Sequence, residues 1–273
     1  MGAATQKDLP MKASQSDTAL EVKSLCFAHQ ASSKSATSFN APLLLEDISF
    51  SVRRGEVVAI VGRSGTGKST LQNLMAGFIQ PTSGSLESFG RPVTRPTRDR
   101  FAMSQESSLF PWLTVEENIL VALEFLPKAE RRVRLESALE TTGMIRFKSN
   151  YPRTLSGGMA KRTEMARCIA IGATQLFLDE PFAALDSLTR ESLRTELCSI
   201  WRSIGTTVIF ITHDLAEAYE ISDRVLVLSG TPATIEASSQ LTPRAPRTAQ
   251  GPDYLKFKSS ILALLENRSA IPT

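Results

Sequence analysis

The segment from Gly62 to Thr70 constrains this chain more than any other part of its sequence. It fits the pattern G-x-x-x-x-G-K-[ST] and reads Gly62-Arg63-Ser64-Gly65-Thr66-Gly67-Lys68-Ser69-Thr70. The β-branched run Val57–Val61 precedes it, and a helical pattern follows it. One face of that helix is predicted to carry Leu71, Leu74, Met75 and Phe78. The segment therefore predicts a buried strand, a loop whose backbone N–H groups bind phosphate, and a helix whose N-terminus points at the anion.

Side chains in this loop, and after a second strand, have distinct chemical uses. Lys68 supplies a positive charge for the β- and γ-phosphates of a nucleotide, and the hydroxyl of Ser69 is placed to ligate Mg²⁺. The apolar run Leu176–Leu178 ends in the carboxylates Asp179 and Glu180. Ligands of open α/β sheets bind at the carboxyl ends of the strands. We therefore expect Asp179 to hold Mg²⁺ through water and Glu180 to orient and deprotonate the attacking water.

Short apolar runs alternate with helical patterns along most of the chain. Runs at Val208–Ile211 and Val225–Leu228 predict two further strands, which indicates an α/β core. The stretch from residue 106 to about 155 lacks such runs and is interpreted as an inserted helical subdomain. We expect residues 1–18 to be disordered, residues 19–240 to form the main domain, and residues 241–273 to form a C-terminal tail with a short helix.

Composition and charge narrow the possible partners. The net charge of +3 does not favour nucleic acid as a partner, and the basic clusters at 91–100 and 131–134 are interpreted first as solvated surface. An acidic partner or lipid headgroups are the alternative for these clusters. No apolar run approaches the ~20 residues that span a bilayer, so any membrane role is expected to come through a partner protein.

A further motif resembles the signature of ATP-binding-cassette proteins. It reads Leu155-Ser156-Gly157-Gly158-Met159 and falls just before the paired carboxylates, as it does in that family. The serine hydroxyl and glycine N–H groups would open a helix and form a second anion site. The resemblance implies a head-to-tail dimer, in which Ser156, Gly157 and Gly158 of one subunit grip the γ-phosphate bound by the other.

Other positions match family elements and take their expected roles from the resemblance. Gln105 lies at the Q-loop position, which implies a contact to Mg²⁺ and to the reacting phosphate. His213, within Thr212-His213-Asp214, matches the switch histidine that contacts the γ-phosphate. Asp186 matches the D-loop that crosses the dimer interface. Stretches 110–118, 180–186 and 212–218 are similar to the nitrate, sulfonate and taurine importer group.

Two positions depart from the family pattern. The family stacks an aromatic residue on adenine near the first strand, where His29 stands in this sequence. The neighbouring Phe27 could supply the stacking ring instead, and the favoured alternative is that Phe27 is a core residue of the strand. Glu164 places a charge where the family usually has a small or apolar residue.

The resemblance implies a fold and a set of partners. The expected fold is an α/β P-loop NTPase core with an antiparallel β edge and an inserted helical subdomain. The expected protein binds ATP and Mg²⁺, hydrolyses ATP as a homodimer, and acts with an integral membrane permease and a solute-binding receptor protein. Its expected place is the cytoplasmic face of the inner membrane, with no nucleic acid as partner.

Two other classes of protein remain as alternatives. One is a soluble cassette ATPase that acts on nucleic acid or ribosomes, although such chains usually carry two cassettes or a long coiled-coil insert. The other is a P-loop kinase or GTPase-type switch, for which the motif Leu155–Met159 would be accidental.

Overall fold

One sheet organises the part of the chain that the computed structural model describes, which is residues 17–28, 42–183, 187–241 and 247–266. Its ten strands lie in the order β5-β4-β1-β2-β10-β9-β3-β8-β7-β6. Their bounds are β1 Thr18–Ala28, β2 Leu43–Arg53, β3 Val57–Val61, β4 Ser83–Ser88, β5 Arg91–Pro92, β6 Arg100–Met103, β7 Gln175–Asp179, β8 Thr207–Thr212, β9 Arg224–Gly230 and β10 Ala233–Gln240.

The helices lie between and after these strands. They are α1 Lys68–Ala76, α2 Val115–Leu120, α3 Lys128–Thr141, α4 Gly157–Ile171, α5 Ser187–Ile204, α6 Leu215–Ile221 and α7 Gly251–Glu266. Short 3₁₀ turns cover Val121–Leu123, Ile145–Phe147 and Pro152–Thr154. Within the described ranges, no helix is both long enough and apolar enough to cross a membrane.

The sheet has a parallel part and an antiparallel part. Strands β9, β3, β8, β7 and β6 run parallel to one another. Strands β2, β1, β4 and β5 pair antiparallel, and β10 is antiparallel to β9. The predicted α/β core with an antiparallel β edge is confirmed.

Strand β3 shows why the middle of the sheet is stable. All five of its residues are buried, and they alternate between two apolar clusters on opposite faces of the sheet. Val57, Ala59 and Val61 belong to the cluster that contains Trp201, whereas Val58 and Ile60 belong to the cluster that contains Leu71. A continuous apolar run is what a parallel strand covered on both faces requires.

One residue of the helix after β3 is not where the sequence pattern predicted it. Leu71, Leu74 and Met75 are buried, but Phe78 is 58% exposed. The prediction for Phe78 was wrong because α1 ends first. Gly77 adopts a left-handed conformation with φ 86° and closes the helix through hydrogen bonds from its N–H to carbonyls of the last turn, so Phe78 lies beyond the helical face.

Helices α2, α3 and α4 form a separate layer with its own apolar cluster. Val115, Ile119, Leu135 and Leu139 from α2 and α3 pack there against Ala166 of α4. The bounds of the inserted subdomain stay a prediction, and α4 joins this layer after the predicted end at residue 155. Strand β1 begins at Thr18, and residues 1–16 lie outside the described part of the chain.

Candidate active site

The carboxyl ends of four neighbouring parallel strands bring the predicted site residues to one edge of the sheet. The loop at residues 62–67 follows β3, His213 follows β8, and Gln105 comes two residues after β6. Asp179 is the last residue of β7, and Glu180 follows it. Because these strands are parallel and adjacent, residues far apart in sequence meet at the edge where α/β folds bind ligands.

The loop after β3 folds around the amino group of Lys68. Its Nζ donates hydrogen bonds to the carbonyl oxygens of Gly62 at 2.9 Å and Arg63 at 2.7 Å. A Cβ at Gly62 would lie 2.4 Å from the carbonyl oxygen of Leu228, and Gly67 has a left-handed φ of +86°. Both positions therefore require glycine, one for space and one for backbone conformation.

The N-terminus of α1 is suited to an anion. Its N-cap is Gly67, which makes no side-chain hydrogen bond to the first turn, so that turn's N–H groups have no side-chain acceptor from the cap. Burial lowers the pKa of Lys68, and the carboxylates of Glu180 and Asp179 act in the opposite direction. The loop thus combines backbone donors with a cation held between carbonyls and carboxylates.

A cavity of ≈ 420 Å³ opens at this edge of the sheet. It is lined by Leu44, Ser64, Gly65, Gly67, Lys68, Ser69, Thr70, Gln105, Asp179 and Glu180. The predicted loop residues Gly62, Arg63 and Thr66 support the loop without lining the cavity, and Thr66 Oγ1 donates to the Arg63 carbonyl at 2.9 Å. Leu44 was not predicted, because a leucine at the start of a strand carries no signal of a binding role.

The oxygen atoms in the cavity fit a divalent cation. Ser69 Oγ donates to Asp179 Oδ2 at 2.6 Å, which brings a hydroxyl and a carboxylate together. Gln105 lines the same cavity. Hydroxyl, carboxylate and amide oxygens are ligands that Mg²⁺ accepts, and Mg²⁺ is usually bound by one or two carboxylates together with phosphate oxygens.

Glu180 and His213 face each other across the ends of β7 and β8. His213 Nδ1 lies 2.9 Å from Glu180 Oε1. Glu180 has a φ of 45°, in the left-handed region that non-glycine residues seldom adopt. Its N–H donates to the carbonyl of Ile211 at 3.0 Å, which holds this conformation against β8. Strained backbone of this kind occurs most often at functional sites.

A buried hydrogen-bond chain fixes the loop that carries His213. Thr212 Oγ1 accepts from the N–H of Asp214 at 3.0 Å and donates to Glu217 Oε2 at 2.7 Å. Asp214 Oδ1 caps α6 by accepting from the N–H groups of Ala216 and Glu217. Asp214 and Glu217 were not predicted as supports for His213; their local signal in the sequence is their position in the turn and first helical turn after β8.

The signature motif opens α4 outside this cavity. Ser156 is the N-cap, and its Oγ accepts from the N–H of Met159 at 3.3 Å. Ser156 and Gly157 are exposed, whereas Gly158 is buried. None of the three lines the cavity at the ends of β3 and β7. Of these two helix N-termini, that of α1 lies on the cavity and that of α4 lies outside it.

Two predicted site residues, His29 and Asp186, lie outside the described residues. Their expected contacts with adenine and across the dimer interface stay predictions. Phe27 lies in β1 and packs against the cluster that contains Leu45. This packing favours the alternative in which Phe27 is a core residue of the strand.

Together, the parallel sheet, the glycine-rich loop around Lys68, and the hydroxyl–carboxylate pair define the class of P-loop nucleotide hydrolases. A family model described as ABC transporter matches residues 45–183. The chain belongs to the ATP-binding-cassette (ABC) transporter family, as an ATP-binding and ATP-hydrolysing subunit. The resemblance drawn from the motif at Leu155–Met159 is confirmed.

Known proteins similar to this chain agree with that assignment. A nitrate import ATP-binding protein, NrtD of Synechococcus elongatus, is 39% identical over 235 residues, which cover 83% of this chain and 86% of that protein. An aliphatic sulfonates import ATP-binding protein, SsuB of Bacillus thuringiensis, is 35% identical over 84% of this chain and 91% of that protein.

A solved dimeric structure of an ATP-binding cassette, in a post-hydrolysis state with ADP and Pi, is also similar. Its TM-score is 0.68 at 26% identity, over 82% of this chain and 100% of that chain. These likenesses support a transporter subunit rather than a cassette that acts on nucleic acid.

Proposed function

We propose that this chain hydrolyses MgATP at a site shared by two copies of itself and so drives import of a small anionic solute through a separate permease. One observation carries the proposal. A single cavity gathers the phosphate loop, the Ser69–Asp179 pair, Gln105 and Glu180. These groups are what phosphoryl transfer to water needs, because catalysis there rests on positioning and on stabilising charge.

The residues of the loop are proposed to bind the phosphates. Backbone N–H groups at the start of α1 surround the β-phosphate, and Lys68 exchanges its two carbonyl partners for oxygens of the β- and γ-phosphates. Ser69, Asp179 and Gln105 would hold Mg²⁺, which neutralises charge that develops on the phosphates. The ~420 Å³ cavity has room for a triphosphate chain. Apart from Leu44 and the glycines of the loop, the residues that line it are polar or charged, which suits an anion.

Glu180 is proposed to accept the proton of the attacking water. Its carboxylate lines the cavity next to Asp179, and its contact with His213 at 2.9 Å fixes the direction of the carboxylate. A positioned general base contributes about 10²–10⁴-fold to a rate. The hydrogen bonds among Thr212, Asp214 and Glu217 fix the backbone on both sides of His213, and the contact with Glu180 directs its ring, which would face the γ-phosphate.

The exposed N-terminus of α4 is proposed to complete the site of a second copy. Ser156 and Gly157 are exposed and outside the cavity, so they are available to an anion that another chain brings. In a head-to-tail homodimer, each nucleotide would lie between the loop of one copy and the signature motif of the other. ATP would then hold the dimer together, and loss of the γ-phosphate would release it.

The names of the relatives support a proposal for the partners and the solute. NrtD is named for nitrate import and SsuB for aliphatic sulfonate import, and both solutes are small oxyanions. We propose the same solute class here, an integral membrane permease driven through Gln105 and the helical layer, and a solute-binding receptor protein. The subunit would then lie against the cytoplasmic face of the inner membrane.

Mixing two inactive variants tests the shared site. Lys68→Ala removes the cation of one loop, and Gly158→Asp puts a negative charge at the start of α4. Each variant alone should lose at least about 10²-fold in hydrolysis, because both copies of its site are damaged. The mixed dimer contains one site with both defects and one with neither, so an equimolar mixture should regain hydrolysis.

Binding measurements make the mixing experiment decisive. Purified Gly158→Asp should bind ATP with the affinity of the unaltered subunit, and Lys68→Ala should bind it more weakly. If Gly158→Asp loses ATP affinity as a monomer, the signature motif serves its own chain's cavity and the shared site is refuted. A second mixture, Lys68→Ala with Lys68→Met, is the matched control and should stay inactive.

A further inference from the structure

One face of α4 carries three charged side chains that are turned into the protein. Lys161, Glu164 and Arg167 are spaced i, i+3 and i+6, and all three are buried, Glu164 at 0% exposure. Hydrogen bonds from these side chains lead out of the helix to residues 104–118, the segment that follows β6 and contains Gln105. A buried charge is unusual unless it is paired and hydrogen-bonded.

Glu164 holds the middle of that segment. Its Oε1 accepts hydrogen bonds from the N–H of Ser108 at 2.5 Å and from the Ser108 hydroxyl at 3.0 Å. Its Oε2 lies 3.2 Å from Nζ of Lys161. The carboxylate is thus shared between a backbone group of the segment and a cation on its own helix.

Lys161 holds the residue that lines the nucleotide cavity. Its Nζ donates to the carbonyl oxygens of Ser104 at 2.9 Å and Gln105 at 3.3 Å. The ion pair with Glu164 directs the ammonium group, because one side of that group faces the carboxylate and the other faces the two carbonyls. The backbone of Gln105 is therefore tied directly to α4.

Arg167 extends the same contact by a further turn. Its Nη1 donates to the carbonyl of Ser108 at 3.2 Å, and its Nη2 donates to Asn118 Oδ1 at 2.8 Å. Asn118 Oδ1 in turn accepts from the N–H of Phe110, and the guanidinium carbon lies 5.6 Å from the centroid of the Phe110 ring. Segment 104–110 is thus bound by three side chains of α4 that are spaced three residues apart.

Burying the ion pair costs desolvation free energy. We therefore interpret the pair as fixing the position of segment 104–110 and not as adding to the stability of the fold. Apolar side chains would fill the same space without desolvating two charges, and replacing a buried ion pair by apolar residues often leaves a protein as stable or more so. Apolar residues cannot fix the orientation of the segment. The charged side chains do so because they bind the carbonyl oxygens of Ser104 and Gln105 and the N–H of Ser108.

We infer that Lys161 and Glu164 are positioning residues that make segment 104–108 and α4 move as one body. Gln105 lies at one end of this body, in the cavity of its own chain. Ser156, five positions before Lys161, lies at the other end, at the helix N-terminus offered to the second copy. Occupancy of one cavity is thereby transmitted to the motif that completes the other. This inference rests on the proposed function, because it requires Gln105 to contact bound MgATP.

Three variants of the pair separate positioning from stability. Lys161→Met and Glu164→Gln each leave one charge buried without its partner, so both should lower the melting temperature. The double variant Lys161→Met/Glu164→Gln removes both charges of the pair and keeps a neutral acceptor for Ser108. Arg167 keeps its hydrogen bonds to Ser108 and Asn118, so the melting temperature should return close to that of the unaltered protein. Its kcat should nevertheless stay roughly tenfold low, because a small misplacement of Gln105 and of the signature motif slows a reaction that depends on position, while its ATP affinity stays within about twofold.

Matched controls and the contrary outcomes complete the test. Arg132→Met/Glu136→Gln makes comparable changes in an exposed ion pair on α3 and should alter neither kcat nor melting temperature. Lys161→Arg keeps donors for both carbonyls and should restore most of the turnover. Recovery of kcat together with stability in the double variant would show a purely structural pair and overturn the inference, and so would a loss of ATP affinity. Failure of the proposed shared site looks different, because Gly158→Asp would then lose ATP affinity as an isolated subunit, a result that does not depend on Lys161 or Glu164.

Discussion

The N-termini of α1 and α4 differ in how their first-turn donors are satisfied. The α1 end has Gly67 as its cap, with no side-chain acceptor, and it lies on the cavity of its own chain. The α4 end has Ser156 as its cap, with the hydroxyl already bound to the N–H of Met159, and it is exposed. The cap thus supplies no side-chain acceptor at the α1 end, whereas at the α4 end it binds one N–H of the first turn.

This difference supports the proposal that the two helix N-termini contact phosphate in different roles. An uncapped N-terminus leaves donors that only a ligand satisfies, so the α1 site favours binding in the isolated subunit. A capped N-terminus is stable alone and gains a ligand only when another surface delivers it. The proposed order is therefore nucleotide binding at α1 first and dimer formation at α4 second.

Removing the proposed general base gives the largest expected effect and tests whether both helix ends hold the same nucleotide. Glu180→Gln should lower the hydrolysis rate by about 10²–10⁴-fold and leave ATP affinity nearly unchanged. With ATP intact, both ends stay occupied, so size-exclusion chromatography in MgATP should show a persistent dimer. Adding Gly158→Asp should abolish that dimer.

The control for this substitution is Glu87→Gln, which changes a glutamate of β4 outside the cavity lining and should leave turnover unchanged. Near-normal turnover of Glu180→Gln would show that another group takes the proton. A dimer that survives Gly158→Asp would show that the α4 end takes no part in association, and the comparison between the two ends would fail.

Removing the cap of α4 has a smaller effect on stability and sharpens the comparison. Ser156→Ala should cost about 1 kcal/mol of unfolding free energy, the usual value of an N-cap side chain. It should also lower hydrolysis, while ATP affinity of the isolated subunit stays within about twofold. Denaturant titration, an ATPase assay and a binding titration measure the three quantities.

Thr114→Ala provides the matched control, because Thr114 caps α2 in the same way by accepting from the N–H of Glu117. It should lose similar stability yet keep its hydrolysis rate. Equal losses of hydrolysis in both variants would mean that Ser156 acts only as a cap.

The N-terminus of α6 offers a third case, and the smallest expected effect. It is capped by Asp214, and burial raises the pKa of Glu217 in its first turn; the Thr212 hydrogen bond, Asp214, Arg190 and Arg194 also act on this carboxyl group. The folded state therefore holds this proton more tightly than the unfolded state, whose value is near 4.5. The contribution to stability is full below that pH and is lost as the pH rises through the raised value.

Glu217→Gln removes this dependence and keeps an acceptor for the Thr212 hydroxyl. The difference in unfolding free energy, variant minus unaltered protein, should increase between pH 4 and pH 7. Chemical denaturation at several pH values measures it. A difference that falls over this range would show that the carboxylate is stabilised in the fold.

The sequence was most informative where chemistry and chain order coincide. The phosphate loop, the carboxylates after β7 and His213 after β8 each lie next to a short apolar strand, so motif and element identify each other. Phe78 was misplaced because the pattern gives a helical face but not the residue where the helix stops, which Gly77 decides here.

Contacts between distant segments were beyond the reach of local patterns. Glu164 and Ser108 are 56 positions apart, and nothing near either residue indicates the other. The same holds for Leu44 in the cavity. Such pairs form only once the sheet order brings their elements together, so the charge at Glu164 had no account until its partners were located.

The position of Phe110, which Arg167 contacts, has a consequence for the intrinsic fluorescence of the protein. Phe110 lies against the indole of Trp112, with ring centroids 5.6 Å apart, and the chain contains two tryptophans. Trp112 is 69% exposed and Trp201 is 1% exposed, so an aqueous quencher such as iodide reaches the first and spares the second. The quenchable part of the intrinsic fluorescence therefore comes from a residue just beyond the segment held by α4. Trp112 is therefore an intrinsic fluorescent reporter, and rearrangement of that segment can be timed by stopped-flow fluorescence without attaching a dye.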